Sequence, residues 1–379
     1  MKRLVPLLAA CAVACADAAS RETTTTPPID ATDVAIVNVN VVPMDAERIL
    51  SAHTVLIHDG RVVTIAPSSA VTVPAGATTI DGNNGYLLPG LIDMHVHILA
   101  EDLPAYLRYG VTTVRNMWGF NELPRIIDEV ARGTRSGPQI FSLTAGFDGS
   151  PAVWPQTQIS DDVRAIPSLI DRQQQLGFRE IKVYQKLSRP AYDTIVAEAR
   201  RRNMTFAGHT PPSVGVLLAV AAGQRSLEHL GGFGDGADLS RQVAAVAAAG
   251  TYICPTLTIQ SMMSPSAWTE ARRNIVRALH QGGARILAGS DSGIGRTQPG
   301  ISIHQELEQL VLAGMDPYDA LLGATRLAAE YLGQSNRLGV IKPGAEADLL
   351  LVRSNPLRNI TATQAVEAVF VNGVPISPN

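Results

Sequence analysis

The stretch GYLLPGLIDMHVHIL, residues 85–99, begins as an apolar run and ends in two histidines one residue apart. A short apolar run bounded by Gly and Pro reads as a buried strand. Residues i and i+2 of a strand point to one side, so His95 and His97 share a face, with Asp93 in the same phase. Two imidazoles and a carboxylate are costly to bury unless they have partners. The rest of the chain must therefore supply a reason for them.

Beyond this stretch, short apolar strands recur as GVTTVRN, EIKVY, MTFAGH, RSLEHL, TYICPTL and RILAGSD. Amphipathic, helix-length segments separate them, among them RPAYDTIVAEARRR, SVGVLLAVAAG and ARRNIVRALHQGG. Strand-helix alternation at this spacing predicts parallel βα units, and residues 85–338 match the size of a (β/α)8 TIM barrel. The flanks differ. Residues 33–84 carry VAIVNVNVV, HTVLIHDGRVVTIAP and ATTIDGNNG, short β-rich runs broken by the turn signals HDGR and GNNG. The segment from Gly339 reads alike, so residues 33–84 and 339–379 are expected to form one small, antiparallel β-sandwich domain from both chain ends. The fold class is α/β.

The first residues, MKRLVPLLAACAVACADAAS, combine a basic start, an apolar stretch and a small-x-small site at Ala16-Asp17-Ala18. Residues 1–18 read as a signal peptide and the Thr/Pro stretch within 19–32 as a linker. Leu8-Ala9-Ala10-Cys11 resembles a lipobox, and a lipid on Cys11 would be the protein's link to a membrane. The expected location is outside the cytoplasm: periplasmic, secreted or anchored at a bacterial envelope. Of three cysteines, cleavage after Ala18 leaves Cys254, so no disulfide framework exists. Cys254 is expected to be a buried strand residue. The 379 residues are 46% hydrophobic and 17% charged, with net charge −3 and no long basic run, which argues against a nucleic-acid partner.

Chemically expensive residues stand at the C-terminal ends of the predicted strands. HVH ends the first, Lys182 lies within EIKVY, His209 ends TFAGH, His229 ends SLEH and Asp291 ends ILAGSD. Each alone has an ordinary reading: a satisfied structural histidine, an ion-paired lysine, a turn aspartate. Barrel chemistry gathers at strand C-terminal ends, so their joint occurrence predicts a shared metal site.

LLPGLIDMHVHI, YGVTTVRNM, GFREIKVYQ, FAGHTPPSV, AAGQRSLEHL, RILAGSDSG and LGVIKPGAEADLLLV carry a resemblance along almost the whole chain. The sequence resembles the amidohydrolase superfamily of metal-dependent hydrolases, in its imidazolonepropionase-like and prolidase-like branch. The resemblance implies that His95 and His97 bind the more buried of two divalent metal ions. It implies that Lys182 carries a bridging carbamate made from carbon dioxide, and that His209 and His229 bind the second ion. Asp291 would be the last ligand and the catalytic proton shuttle. Zinc suits these ligands, as do manganese, iron and cobalt. Two features depart from the pattern. Asn116 stands where relatives often have Asp, and His209 is followed by Thr-Pro-Pro, without the His-x-x-Glu arrangement of the deaminase branch.

Three further residues are candidate substrate binders. Tyr184 could donate to a developing oxyanion or pack on the barrel wall. Arg115 could bind a carboxylate or form a structural ion pair, and His304 could support the site or serve the fold. With export, these features point to hydrolysis of a small amide or peptide, such as a dipeptide or N-acyl amino acid. Alternatives are a cyclic amide or lactone hydrolase, or a non-catalytic surface binding protein. A homo-oligomer is open.

Overall fold

The computed structural model describes residues 33–263 and 266–376. The segments assigned to a signal peptide (1–18, with Cys11) and a linker (19–32) lie outside the described residues. Among the described residues no helix is long and apolar enough to cross a membrane.

The opening stretch divides at Gly90. Tyr86–Pro89 belongs to an eight-stranded sheet, parallel to Val34–Val41 and antiparallel to Leu349–Val352. Leu91–Val96 instead starts the barrel, parallel to Val111–Asn116. The domain boundary therefore lies at Gly90, a few residues later than expected. YLLP merges with the next strand into one apolar run because it is buried on both faces: Leu87 packs in the core of the strand-rich domain and Leu88 in the barrel core. At the crossing, a Cβ on Gly90 would lie 2.2 Å from Thr112 Oγ1. Only glycine permits that approach.

In the strand-rich domain Val34–Val41, Leu50–His58 and Arg61–Pro67 form an antiparallel meander, turning at Asp59-Gly60 as HDGR predicts. GNNG does not reverse the chain. Asn83 and Asn84 adopt positive φ, yet Thr78–Asp81 and Tyr86–Pro89 both run parallel to Val34–Val41, one after the other. The sheet is thus mixed rather than antiparallel. Its far edge bonds back to the C-terminal segment, with Val62 N donating to Ala345 O (3.0 Å) and Gly344 N to Val62 O (2.8 Å). The result is a strand-rich domain whose core holds Ile36, Val55, Val62, Leu351 and Phe370.

The barrel strands are Leu91–Val96, Val111–Asn116, Gln139–Ser142, Glu180–Val183, Thr205–Gly208, Ser226–Glu228, Tyr252–Cys254 and Arg285–Ile286. They pair in parallel within a three-stranded sheet and a seven-stranded one, the latter extended by the short Phe147–Asp148 and Gln158–Ile159. Backbone bonds join the sheets, from Thr144 N to Glu180 O (2.9 Å) at one seam, and from Met94 N to Ala288 O (3.0 Å), Asp291 N to His95 O (2.8 Å) and His97 N to Ser292 O (2.8 Å) at the other. The ring is TIM-like, although its regular ladder is not closed. Helices such as Arg189–Arg201 cover it. That helix starts where Ser188 Oγ accepts from Ala191 N (3.3 Å), with Pro190 in its first turn.

Candidate metal centre at the barrel mouth

Pairing along Leu91–Val96 slips by one residue between Asp93 and Val96. The bulge breaks the alternation on which the shared phase of Asp93 and the histidines rested. Asp93 pairs with Val114, whose side chain joins the helix-covered core, so Asp93 does not share the histidines' face. Its carboxylate accepts from Ser290 N (2.9 Å) and His95 N (3.3 Å), tying the strand to the turn that carries Asp291. Burial pushes its pKa up to about 7, against the lowering effect of the Ser290 bonds. Bulges beside active sites commonly re-aim side chains in this way.

Past the bulge the strand-end residues converge. Asp291 Oδ1 lies 3.4 Å from His95 Nε2 and 3.2 Å from His97 Nε2, and Oδ2 lies 3.8 Å from His229 Nδ1. The His229 ring centroid is 4.5 Å from those of both His95 and His209. His229, Thr256 and Asp291 have φ of 65°, 49° and 56°, a left-handed conformation that costs non-glycine residues roughly 1–3 kcal/mol each. Such strain at three strand ends turns side chains towards one point. Close approach helps too: a Cβ on Gly289 would sit 2.4 Å from Cys254 Sγ and 2.7 Å from His95 Cβ.

His95 Nε2, Lys182 Nζ, His209 Nδ1 and Asp291 Oδ1 are buried and have no hydrogen-bond partner. Unsatisfied groups cost about 1–3 kcal/mol each, so four around one centre call for a ligand. Burial lowers His95 and His209 well below the ordinary histidine range and His229 to about 4, which leaves neutral imidazoles. Burial alone would raise Asp291, but His95, His229 and His97 outweigh it and keep the group a carboxylate. Lys182 is lowered by burial to about 8. Neutral imidazoles with an ionised carboxylate are the protonation states a divalent ion requires. His95, His97 and Asp291 offer ligand atoms all within 4.8 Å of one another.

Beneath these donors lies a group that sequence reasoning missed. Glu228, wholly buried on Ser226–Glu228, faces His95 Nδ1 with Oε2 (2.7 Å). Its Oε1 accepts from Arg115 Nη2 (2.6 Å) and Ser226 Oγ (2.5 Å). The carboxylate thus holds the His95 proton on Nδ1 and leaves Nε2 as the free lone pair. The available signal was a carboxylate inside the short apolar strand SLEH. Thr256, also missed, meets His229 Nδ1 at 2.7 Å and orients its ring. A second cluster of His95, Glu228 and Cys254 is a poor metal site: Glu228 is already saturated, and burial raises the Cys254 thiol well above its usual range.

The candidate substrate binders separate. Tyr184 lines a cavity of about 490 Å³ together with His97, His209, His229 and Asp291. Its hydroxyl accepts from Trp154 Nε1 (2.8 Å), and its ring stands edge-on to His209 at 4.1 Å. Arg115 and His304 are not available to a substrate, so of the two readings of each the structural one holds and substrate binding does not. Arg115 is fully buried, spending its donors on Met94 O, Ser226 and Glu228 and lying 4.5 Å over the Tyr331 ring. His304 is also buried, with Nδ1 on Thr363 Oγ1 and Nε2 on Tyr109 O, both at 2.9 Å. Asn116 fastens the end of HVH, accepting from Ile98 N (3.1 Å) and donating to Trp118 O (2.8 Å). An aspartate there could not make the second bond.

A model of the amidohydrolase family matches residues 86–376. Over 359 residues the chain is 24% identical to an adenine deaminase of Paracoccus denitrificans, covering 86% of this chain and 56% of the deaminase. It is 25% identical to the ochratoxinase of Aspergillus niger, covering 75% of this chain and 73% of that protein. Among solved structures, a Xaa-Pro dipeptidase with bound methionine matches with TM-score 0.78 at 21% identity, over 91% of this chain and 100% of the dipeptidase. The A. niger ochratoxinase structure matches with TM-score 0.75 at 20% identity, over 92% and 97%. The structural likenesses speak to the fold. The chain spans little more than half the length of the adenine deaminase it matches.

Proposed function

The chain therefore belongs to the amidohydrolase family, and on that premise we propose that it is a metal-dependent hydrolase of the C–N bond of a small amide. Substrates of this reading are N-acyl amino acids and dipeptides. The observation that carries it is the convergence of His95 Nε2, Lys182 Nζ, His209 Nδ1 and Asp291 Oδ1, buried and unpartnered, on the ligand-sized cavity. His95, His97, Lys182, His209, His229 and Asp291 would hold two divalent ions, with zinc the first candidate. When bound, such ions acidify a water and polarise the carbonyl it attacks.

Asp291 accepts the proton of the attacking water and delivers it to the leaving nitrogen. The acyl carbon gains a C–O bond as the C–N bond breaks, giving a carboxylic acid and an amine. Tyr184 donates its hydroxyl proton to the carbonyl oxygen as negative charge develops there. The donor from Trp154 occupies the other side of that hydroxyl, which leaves the proton for substrate. Glu228 keeps His95 in the ligating tautomer. A carbamate on Lys182 belongs to this reading: the neutral amine attacks carbon dioxide, an N–C bond forms and a proton leaves. A buried amine with no partner and a lowered pKa supports it. Export rests on residues 1–18 of the sequence, and cell fractionation tests it.

The test is a hydrolysis screen of N-acyl amino acids and dipeptides with the zinc-loaded protein in bicarbonate, scored by release of free amine. Turnover of at least one class is expected. Silence across the panel with metal bound would overturn the amidase reading.

A further inference from the structure

The cavity has two lobes that meet at His97, Trp154 and Ile294. One, of about 490 Å³, contains His209, His229, Asp291 and Arg272. The other, of about 370 Å³, is walled by Leu99, Trp118, Phe120, Ile126 and Pro155, and among the described residues no Asp, Glu, Lys or Arg lines it.

Charge is distributed unevenly between them. Among the described residues Asp291 is the one acidic residue lining either lobe, and it is committed to the proposed metal centre. Arg272, on helix Ser266–Gln281, is the one arginine or lysine among the described residues that line them. Its Nη1 donates to Leu230 O (2.6 Å), and its guanidinium lies 4.4 Å from the Trp268 ring centroid. No carboxylate among the described residues pairs with it, although burial is deep enough to lower its pKa. A guanidinium held over an aromatic ring, with donors to spare and no paired anion, is suited to take a planar carboxylate. Gln260 and Thr210 line the same lobe, and the Oε1 of the one and the Oγ1 of the other are buried without partners. Both are neutral groups that can bond a substrate amide, and neither carries the negative charge that would offset an ammonium ion.

The rim is apolar. Leu99, Trp154, Met263 and Trp268 stand among the exposed large hydrophobic residues and line one lobe or the other, with Met263 73% exposed. Exposed apolar surface concentrated round a cavity marks a binding surface for an apolar ligand.

We infer, building on the amidase reading, that the substrate is an N-acyl amino acid with a bulky apolar acyl group rather than a free dipeptide. Arg272 holds the carboxylate of the amino acid, and the Trp118–Phe120–Ile126 lobe takes the acyl group. A dipeptide would bring an α-ammonium into a cavity whose described acid, Asp291, is committed to the proposed metal centre, and burying an unpaired charge is expensive.

Three compounds of one skeleton test this: 3-phenylpropanoyl-leucine, phenylalanyl-leucine, which adds an α-ammonium, and 3-phenylpropanoyl-leucinamide, which lacks the carboxylate. For the zinc-loaded protein, kcat/KM for the first should exceed each of the others by about 10- to 100-fold, the range for a charge-assisted contact or a stranded charge. In Arg272→Gln the ratio of acid to amide should collapse, and Arg272→Lys should restore part of it. Reading a ratio within each variant separates this effect from poor folding. Phenylalanyl-leucine cleaved as fast as its des-amino counterpart would overturn the inference while leaving the amidase reading standing. An unchanged ratio in Arg272→Gln would overturn the role of Arg272. No turnover of any of the three, alongside turnover of other amides, would overturn the substrate class. No turnover of any amide would overturn the amidase reading itself.

Discussion

Two buried polar clusters lie one above the other in the barrel, and they treat their hydrogen bonds in opposite ways. In the lower, Glu228, Arg115, Ser226 and Tyr331 are mutually bonded or stacked, and Glu228 has partners on both oxygens. In the upper, His95, Lys182, His209 and Asp291 each keep a buried atom without a partner. Both clusters carry the desolvation cost of buried charge. The lower one spends its charges on one another, whereas the upper one reserves its donors. His95 belongs to both, with Nδ1 bonded below and Nε2 left free above.

The sharpest way to break this contrast is at the upper cluster. Asp291→Asn should lower kcat by about 10²–10⁴-fold with metal content retained, since a general acid/base is removed. Near wild-type turnover with metal bound would remove Asp291 from the proton path. At the lower cluster, Arg115→Met should cost about 3–5 kcal/mol in chemical denaturation, because it strands Glu228 as an unpaired buried charge. Arg115→Met/Glu228→Leu should recover part of that loss. If the double variant were no more stable than the single one, the cluster would not be a mutual ion-pair network. At the junction, Glu228→Gln should weaken metal retention about 10- to 100-fold in competition with a chelator, as loss of a partner that orients a ligand histidine does. Unchanged retention would mean that the lower cluster does not orient His95.

Helix Ile301–Leu312 offers a smaller, independent test away from both clusters. Burial lowers His304 to about 4, so the unfolded chain takes up this proton first, and the contribution of His304 to stability is lost as pH falls from 6.5 to 4. Burial raises Glu306 to about 7, despite bonds from the Thr258 and Leu257 amides, so its contribution is lost as pH rises from 4.5 to 7. The slopes oppose each other between pH 4.5 and 6.5, each on the order of 1 kcal/mol per pH unit. Glu306→Gln should therefore gain stability with rising pH across this window, and His304→Gln should lose it. Denaturation profiles parallel to the wild type would show that neither side chain titrates as described.

The strand-helix order of the barrel was legible in the sequence because its strands are short apolar runs with polar terminal residues, a pattern carried residue by residue. The metal-site candidates were legible for the same reason: His95, His97, His209, His229 and Asp291 all stand at or just beyond strand ends. What the sequence hid depends on register and on which side of an element faces which neighbour. The bulge after Asp93 changes the side of one carboxylate with no mark in composition. GNNG has the residues of a reversing turn, and its asparagines do take positive φ, but pairing along Val34–Val41 keeps the chain in its direction. YLLP hid a domain boundary because both its faces are buried. Arg115 and His304 had two readings each until their partners, Glu228, Thr363 and Tyr109, were brought in from distant parts of the chain. Arg272 gave no signal, since an arginine on an amphipathic helix reads as surface.

The central claim is that the unpartnered donors of the upper cluster exist to hold divalent ions. Elemental analysis of ions retained per chain, after loading with zinc in bicarbonate and removal of free metal, tests it most directly. The wild type should retain two, and Lys182→Ala at most one. A wild type that retains none under these conditions would contradict the claim.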